Sequence, residues 1–132
     1  MGQQQLLLIV LGVIIVGIAV VVGINLFNAN AEEANKDGIV SDATNLGAMA
    51  QQHYKKPGSM GGGNNSFDGS VGTNGVSWAI PLSLVNTANG GYVAVIGAQT
   101  VVITGLPIAS TGYTWEVQTT VTPLEILTVI VP

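Results

Sequence analysis

The side chains able to do acid, base, nucleophilic or ligand chemistry are few and dispersed. The 132 residues hold one histidine, His53, three lysines, seven acids and no cysteine. Lacking cysteine, the chain has no disulfides, thiolate metal sites, cysteine nucleophiles or covalent haem attachment. One histidine cannot build a His-rich metal site, and the acids are scattered rather than gathered as ligand sets. Ser and Asp are present, but no spacing pairs His53 with a nucleophile or an orienting acid. His53 is therefore read as packed or capping, and the chain as non-enzymatic, with no cofactor and no metal. The net charge of -4 and the absence of a basic stripe argue against nucleic acid as a main ligand. The sequon Asn64-Asn65-Ser66 makes Asn64 a possible glycan acceptor, on a three-residue pattern that also arises by chance.

With so little chemistry to place, the elements themselves carry the reading. From Leu6 to Ile24 the sequence runs LLLIVLGVIIVGIAVVVGI without a charge, and Leu26 and Phe27 extend it past Asn25. As a helix this run spans roughly 30 Å, the thickness of a bilayer hydrocarbon core. It is apolar on every side, unlike the surface helix of a globular protein. β-branched residues are frequent, yet a helix is the single-segment structure that satisfies its own backbone in lipid. A secretory signal peptide is the competing reading, with Ala29 and Ala31 as an A-x-A-like site. Against it, the apolar run is longer than the usual 7–15 residues and no basic region precedes it.

Beyond Asn28 the chain turns polar without a proline, and Ile39, Ala43, Leu46, Ala50 and His53 recur at alternating spacings of four and three. That spacing is one helix face. Glu32, Glu33, Lys36, Asp37 and Asp42 are assigned to the opposite, solvated face, and Gly38 and Gly47 each cost about 1 kcal/mol against alanine. The helix is predicted to run from the apolar segment to about Tyr54, making a rod on the order of 75 Å. Lys55-Lys56-Pro57-Gly58 then supplies a stop. Residues 57–75 hold seven glycines and read as a flexible connection. Short Val, Ile, Thr and aromatic runs follow at Val76–Ile80, Tyr92–Ile96, Thr100–Thr104, Tyr113–Val121 and Glu125–Val131, spaced for a meander of hairpins. Tyr113, Trp115, Val117, Thr119 and Val121 share one face, and Trp78, Tyr113 and Trp115 are assigned to the sheet core or to subunit contacts.

The expected fold is α+β: a long N-terminal helix, apolar in its first half and amphipathic in its second, packed on a small antiparallel sheet of three to five strands. Ile39, Ala43, Leu46 and Ala50 are the expected contacts with the sheet. The parts are an apolar helix over 1–28, its amphipathic continuation over 29–56, a Gly-rich loop over 57–75 and a sheet over 76–132.

This order of elements, with the opening QQQLLLIVLGVIIVGIAVVVGINLF and the later AQQHYKKP, resembles the type IV pilins and related pseudopilins, in a bacterial lineage whose apolar run follows glutamines. The match is specific over roughly the first 55 residues; the sheet resembles the family only in type. The resemblance implies a precursor cut after a glycine by a prepilin peptidase, methylated at its new N-terminus, held in the inner membrane and then drawn by an assembly machinery into an extracellular filament. Such filaments serve adhesion or motility. The residue processed and methylated is then Met1 itself, or Gln3 if Gly2 ends a leader.

One departure stands at the first turn. Most such pilins carry an acid at the fifth mature position, which neutralises the N-terminal amine of a neighbour; here that position is Gln5 or Leu7, depending on where counting begins. Gln3, Gln4 and Gln5 are expected to take over registration in the apolar filament core, where an unmatched amide costs roughly 1–3 kcal/mol. The competing reading leaves them at the membrane interface. A locally melted segment around Gly12, Gly17 and Gly23 is expected in the filament, and a subunit helix with continuous bonds there would rule it out.

The functional expectation is thus a major structural pilin forming a helical homopolymer. Its rivals are a minor pilin or type II secretion pseudopilin, and a signal-anchored membrane protein presenting a small β binding module.

Overall fold

A computed structural model describes residues 2–132, so Met1, one of the two candidate first residues of the mature chain, lies outside them. The architecture is α+β. A helix, α1 (Gly2–Lys55), is followed by a short α2 (Leu82–Val85) and four strands, β1 (Gly90–Ile96), β2 (Val101–Pro107), β3 (Glu116–Val121) and β4 (Ile126–Val131). The chain divides into two units, residues 1–34 and residues 35–132.

In the first unit the backbone is helical throughout the described residues, as it must be where side chains offer it no hydrogen bonds. It is unbroken across Gly12, Gly17 and Gly23, and a Cβ at any of them would meet nothing within 4 Å. The isolated chain therefore carries a regular helix there, every amide in the run keeping its i to i-4 partner, whereas the melted segment is an expectation of the filament.

The second unit is built on an antiparallel meander in the order β1-β2-β3-β4. Its pairings are Tyr92 with Gly105, Ile103 with Thr119, and Thr119 with Thr128. Alternation sends Tyr92, Val101, Ile103, Val117, Thr119 and Val121 inward, where the second half of α1 delivers Ile39, Leu46 and Ala50 into the same core cluster, with Ala43 fully buried beside them. The four-three spacing therefore located the buried face of α1. Trp78 and Trp115 are buried as expected, and Tyr113 stacks on Trp115 with ring centroids 5.7 Å apart.

Two expectations are corrected. Val76–Ile80 is extended but joins no ladder: the Trp78 N–H donates to the Phe67 carbonyl at 2.7 Å instead of to a strand. Residues 57–75 are a folded cap rather than a loose connection. Their amides Gly63 N–H and Asn65 N–H donate to the His53 and Tyr54 carbonyls at 2.9 and 2.8 Å, closing the helix end, while Phe67 is fully buried 4.9 Å from the Tyr54 ring. Three glycines and three asparagines in the segment take left-handed backbone angles, which is what its composition provides.

Close approach between α1 and β2 depends on Gly105. A Cβ there would stand 2.5 Å from Ile39 Cγ2 and 3.1 Å from Tyr92 Cε1. Gly105→Val is expected to lower stability by about 1–3 kcal/mol through overpacking, although valine is the better strand residue. A denaturant midpoint equal to or above wild type would remove this account of the contact.

Candidate functional site

The side chains with the most to gain from a partner lie in the first unit. From Leu6 to Phe27 every large apolar residue is more than half exposed, from 53% at Leu11 to 72% at Phe27. At roughly 25 cal/mol per Å2, leaving such a run in water costs tens of kcal/mol. Among the described residues this is the one helix long and apolar enough to cross a membrane. Gln3, Gln4 and Gln5 occupy its first turn, all exposed. The expected assembly residues therefore share one exposed helix end.

The remaining candidates are distributed elsewhere. His53 Nε2 lies 2.6 Å from the Val76 carbonyl and joins the end of α1 to the segment after the cap. Asn64 donates through Nδ2 to the Val71 carbonyl at 3.3 Å, with left-handed backbone, while the sequon's Ser66 is fully buried and donates to Asp68 Oδ1 at 2.6 Å. Both ends of the sequon are thus engaged in the folded cap. No group of three or more potential metal-ligating side chains occurs among the described residues.

The structure also assembles a polar cluster that the sequence pattern missed. Asp42, assigned to the solvated face, accepts three hydrogen bonds on Oδ2: from the Tyr92 hydroxyl at 2.6 Å, Thr87 Oγ1 at 3.0 Å and Asn89 Nδ2 at 3.0 Å. Asn35 adds a bond from Nδ2 to the Asn89 carbonyl at 2.9 Å. Gly38 makes room, since a Cβ there would lie 2.7 Å from Asn89 Oδ1. Burial pushes the Asp42 carboxyl up, but the bonds from Tyr92, Asn89 and Thr87 outweigh it and hold the carboxyl below its ordinary range. Burial and the Asp42 carboxylate together push the Tyr92 hydroxyl well above its ordinary value. An acid and a phenol displaced in these directions stay ionised and neutral across physiological pH, so the cluster holds its protons fixed. Its role is to fasten the 86–91 turn to α1. Lys36, also assigned to the solvated face, places Nζ 5.3 Å from the Trp115 ring centroid. The one available signal was Asn-Gly at 89–90, which marks a tight turn but not the helix position beneath it.

The most exposed apolar surface is thus the helix over residues 6–27, with an amide-bearing first turn. Compared with known protein families, with curated proteins and with solved structures, the chain matches none of them.

Proposed function

We propose that the chain is the structural subunit, a major pilin, of an extracellular type IV pilus-like filament, polymerising through its N-terminal apolar helix. One observation carries the reading: residues 6–27 present an all-round apolar helical surface that the chain itself leaves uncovered. Before assembly the inner membrane covers that surface; after extraction only the same segment of other copies can. The partners proposed are accordingly other copies of the chain, the inner membrane, a prepilin peptidase and the assembly machinery. The second unit supports the reading because its sheet and core close around the latter half of α1, leaving the apolar run free to serve intermolecular contacts. Its polar groups are engaged in structural bonds, which favours a non-enzymatic role. In this reading Gln3, Gln4 and Gln5 register neighbouring helices by amide pairing in a dry core, where each satisfied amide avoids a cost of roughly 1–3 kcal/mol.

Electron microscopy of sheared surface material, with mass analysis of its first peptide, tests the proposal. Filaments dominated by this chain and beginning at Met1 or Gln3, methylated, are expected. Cells that carry the chain only as a monomer in the membrane fraction would favour the anchored-module reading instead. In the same assay, changing Gln3, Gln4 and Gln5 together to leucine is expected to reduce yield or alter symmetry; unaltered filaments would leave the glutamines with an interfacial role only.

A further inference from the structure

Four charged residues ride the second unit's share of α1, and two of them are engaged by the fold. Lys36 lies against the Trp115 ring, and Asp42 sits inside the Tyr92 cluster. Asp37 and Lys55 are exposed at opposite ends of that stretch, and among the described residues neither meets an opposite charge within the chain. They stand eighteen residues apart, which at 3.6 residues per turn is five full turns, so both occupy one line along the helix, about 27 Å from end to end. Between them the line runs over Ser41, Thr44 and Ala48, none of them charged. It lies on the side of α1 opposite Ile39, Ala43, Leu46 and Ala50, which are buried in the core.

An acid and a cation at the two ends of an otherwise neutral stripe are complementary to the same stripe on another copy. The apolar run of α1 gives copies a reason to associate but no axial position, because a helix apolar on every side presents much the same surface at any offset. Opposite charges fix the offset, since other alignments leave both unpaired or set like charges together.

We infer that this stripe docks a second copy of the chain: the Lys55 ammonium of one copy pairs with the Asp37 carboxylate of the next, the helices pointing the same way and offset by about 27 Å. The pairing rests on the filament reading above, in which every copy runs in one direction with α1 turned to a common axis, so that the stripes converge. Residues 35–55 of α1 are roughly 30 Å long, and this offset therefore lets successive second units follow one another along the filament with little overlap. The contact is heterologous: each copy gives a cation to one neighbour and an acid to the next, and the series stays open. An exposed ion pair is individually weak, so it sets the offset more than it holds the polymer together. Copies lying level in one membrane do not make it, because Lys55 of one is then a full offset away from Asp37 of the other.

Carbodiimide coupling of sheared native filaments tests the pairing, because the reagent joins a carboxylate to an amine only where the two touch. Asp37 and Lys55 of a single copy are about 27 Å apart, so any link mapped between them by mass spectrometry joins two copies. A ladder of dimers, trimers and longer species linked from Asp37 to Lys55 is expected from filaments, and none from subunits solubilised out of the membrane. Lys55→Gln should abolish the ladder, while Lys56→Gln, one residue beyond the helix, should leave it. Asp37→Lys should lower filament yield about tenfold, and combining it with Lys55→Asp should restore it. Both positions are exposed, so circular dichroism of the subunit should not change. Filaments that form normally but give no Asp37–Lys55 link, or linked species that stop at the dimer as an antiparallel pair would, overturn the pairing and leave the filament reading standing. If wild-type cells make no filament of this chain, both fall.

Discussion

Replacing Phe67 by alanine is expected to cost about 3–5 kcal/mol, the range for emptying a buried aromatic site. The ring is fully buried in the second unit's core, packed 4.9 Å from Tyr54 at the end of α1. Its backbone is tied on both sides, donating to the Ala98 carbonyl at 2.9 Å and accepting from the Trp78 N–H at 2.7 Å. Losing the ring therefore loosens three things at once: the cap over α1, the β1–β2 turn and the Trp78 segment. For a unit of this size the melting temperature should fall by more than roughly 10 °C, since whole-domain stability is only about 5–15 kcal/mol. Near-ultraviolet circular dichroism in mild detergent reports it through Trp78 and Trp115, both buried. A fall of less than about 3 °C would mean that the cap is peripheral.

Phe67 also shows where a sequence stops being legible. The repeated four-three spacing identified Ile39, Ala43, Leu46 and Ala50 because a helix folded on a sheet must keep one stripe apolar, and all four are buried. Alternation did the same for Trp115, Val117, Thr119 and Val121. Phe67 has no such repeat around it: it stands alone among glycines and asparagines, a composition shared by flexible linkers and by tight, left-handed caps. What distinguishes the two is the set of long-range bonds from Gly63 and Asn65 to the helix carbonyls, and no local pattern records those. Val76–Ile80 failed for a related reason, since strand propensity marks extended backbone without saying whether a neighbouring strand exists.

The apolar segment is legible for the opposite reason. An apolar run without charge is a statement about solvent, and it needs no tertiary context to be read. Its exposed side chains in the folded chain are the same residues that the composition singled out, Leu6 to Phe27. The polar face of the next half was misread in part, because charge at a helical spacing is ordinarily solvated; Asp42 and Lys36 instead meet Tyr92 and Trp115, which lie 50 and 79 residues further along. Contacts of that range reward one geometry and leave no periodicity behind.

Asp42 supplies the second large effect. Substituting alanine removes the acceptor shared by Tyr92, Thr87 and Asn89 and leaves the Tyr92 hydroxyl, on a residue 3% exposed, without that partner. A hydrogen bond to a charged group contributes about 1.5–3 kcal/mol, and an orphaned buried hydroxyl adds to the loss, so Asp42→Ala should destabilise the second unit by at least about 2 kcal/mol. Asn retains an acceptor and should recover part of this; Tyr92→Phe removes one donor without stranding a buried group and should cost less than Asp42→Ala. The same carboxylate sets an acid limit. Its folded pKa lies below the ordinary value of 3.8, so the ionised form favours the folded state. That contribution is complete above the unfolded value and disappears as pH falls through the folded one. Wild-type stability should therefore stay level from neutral pH to about 5 and decline below about 4. The decline should be shallower in Asp42→Asn, while Tyr92, whose hydroxyl is pushed upward, adds no slope in that window. Denaturant midpoints between pH 3 and 7 measure both effects. Identical acid slopes in wild type and Asp42→Asn would show that the cluster fastens the 86–91 turn without the carboxylate's charge.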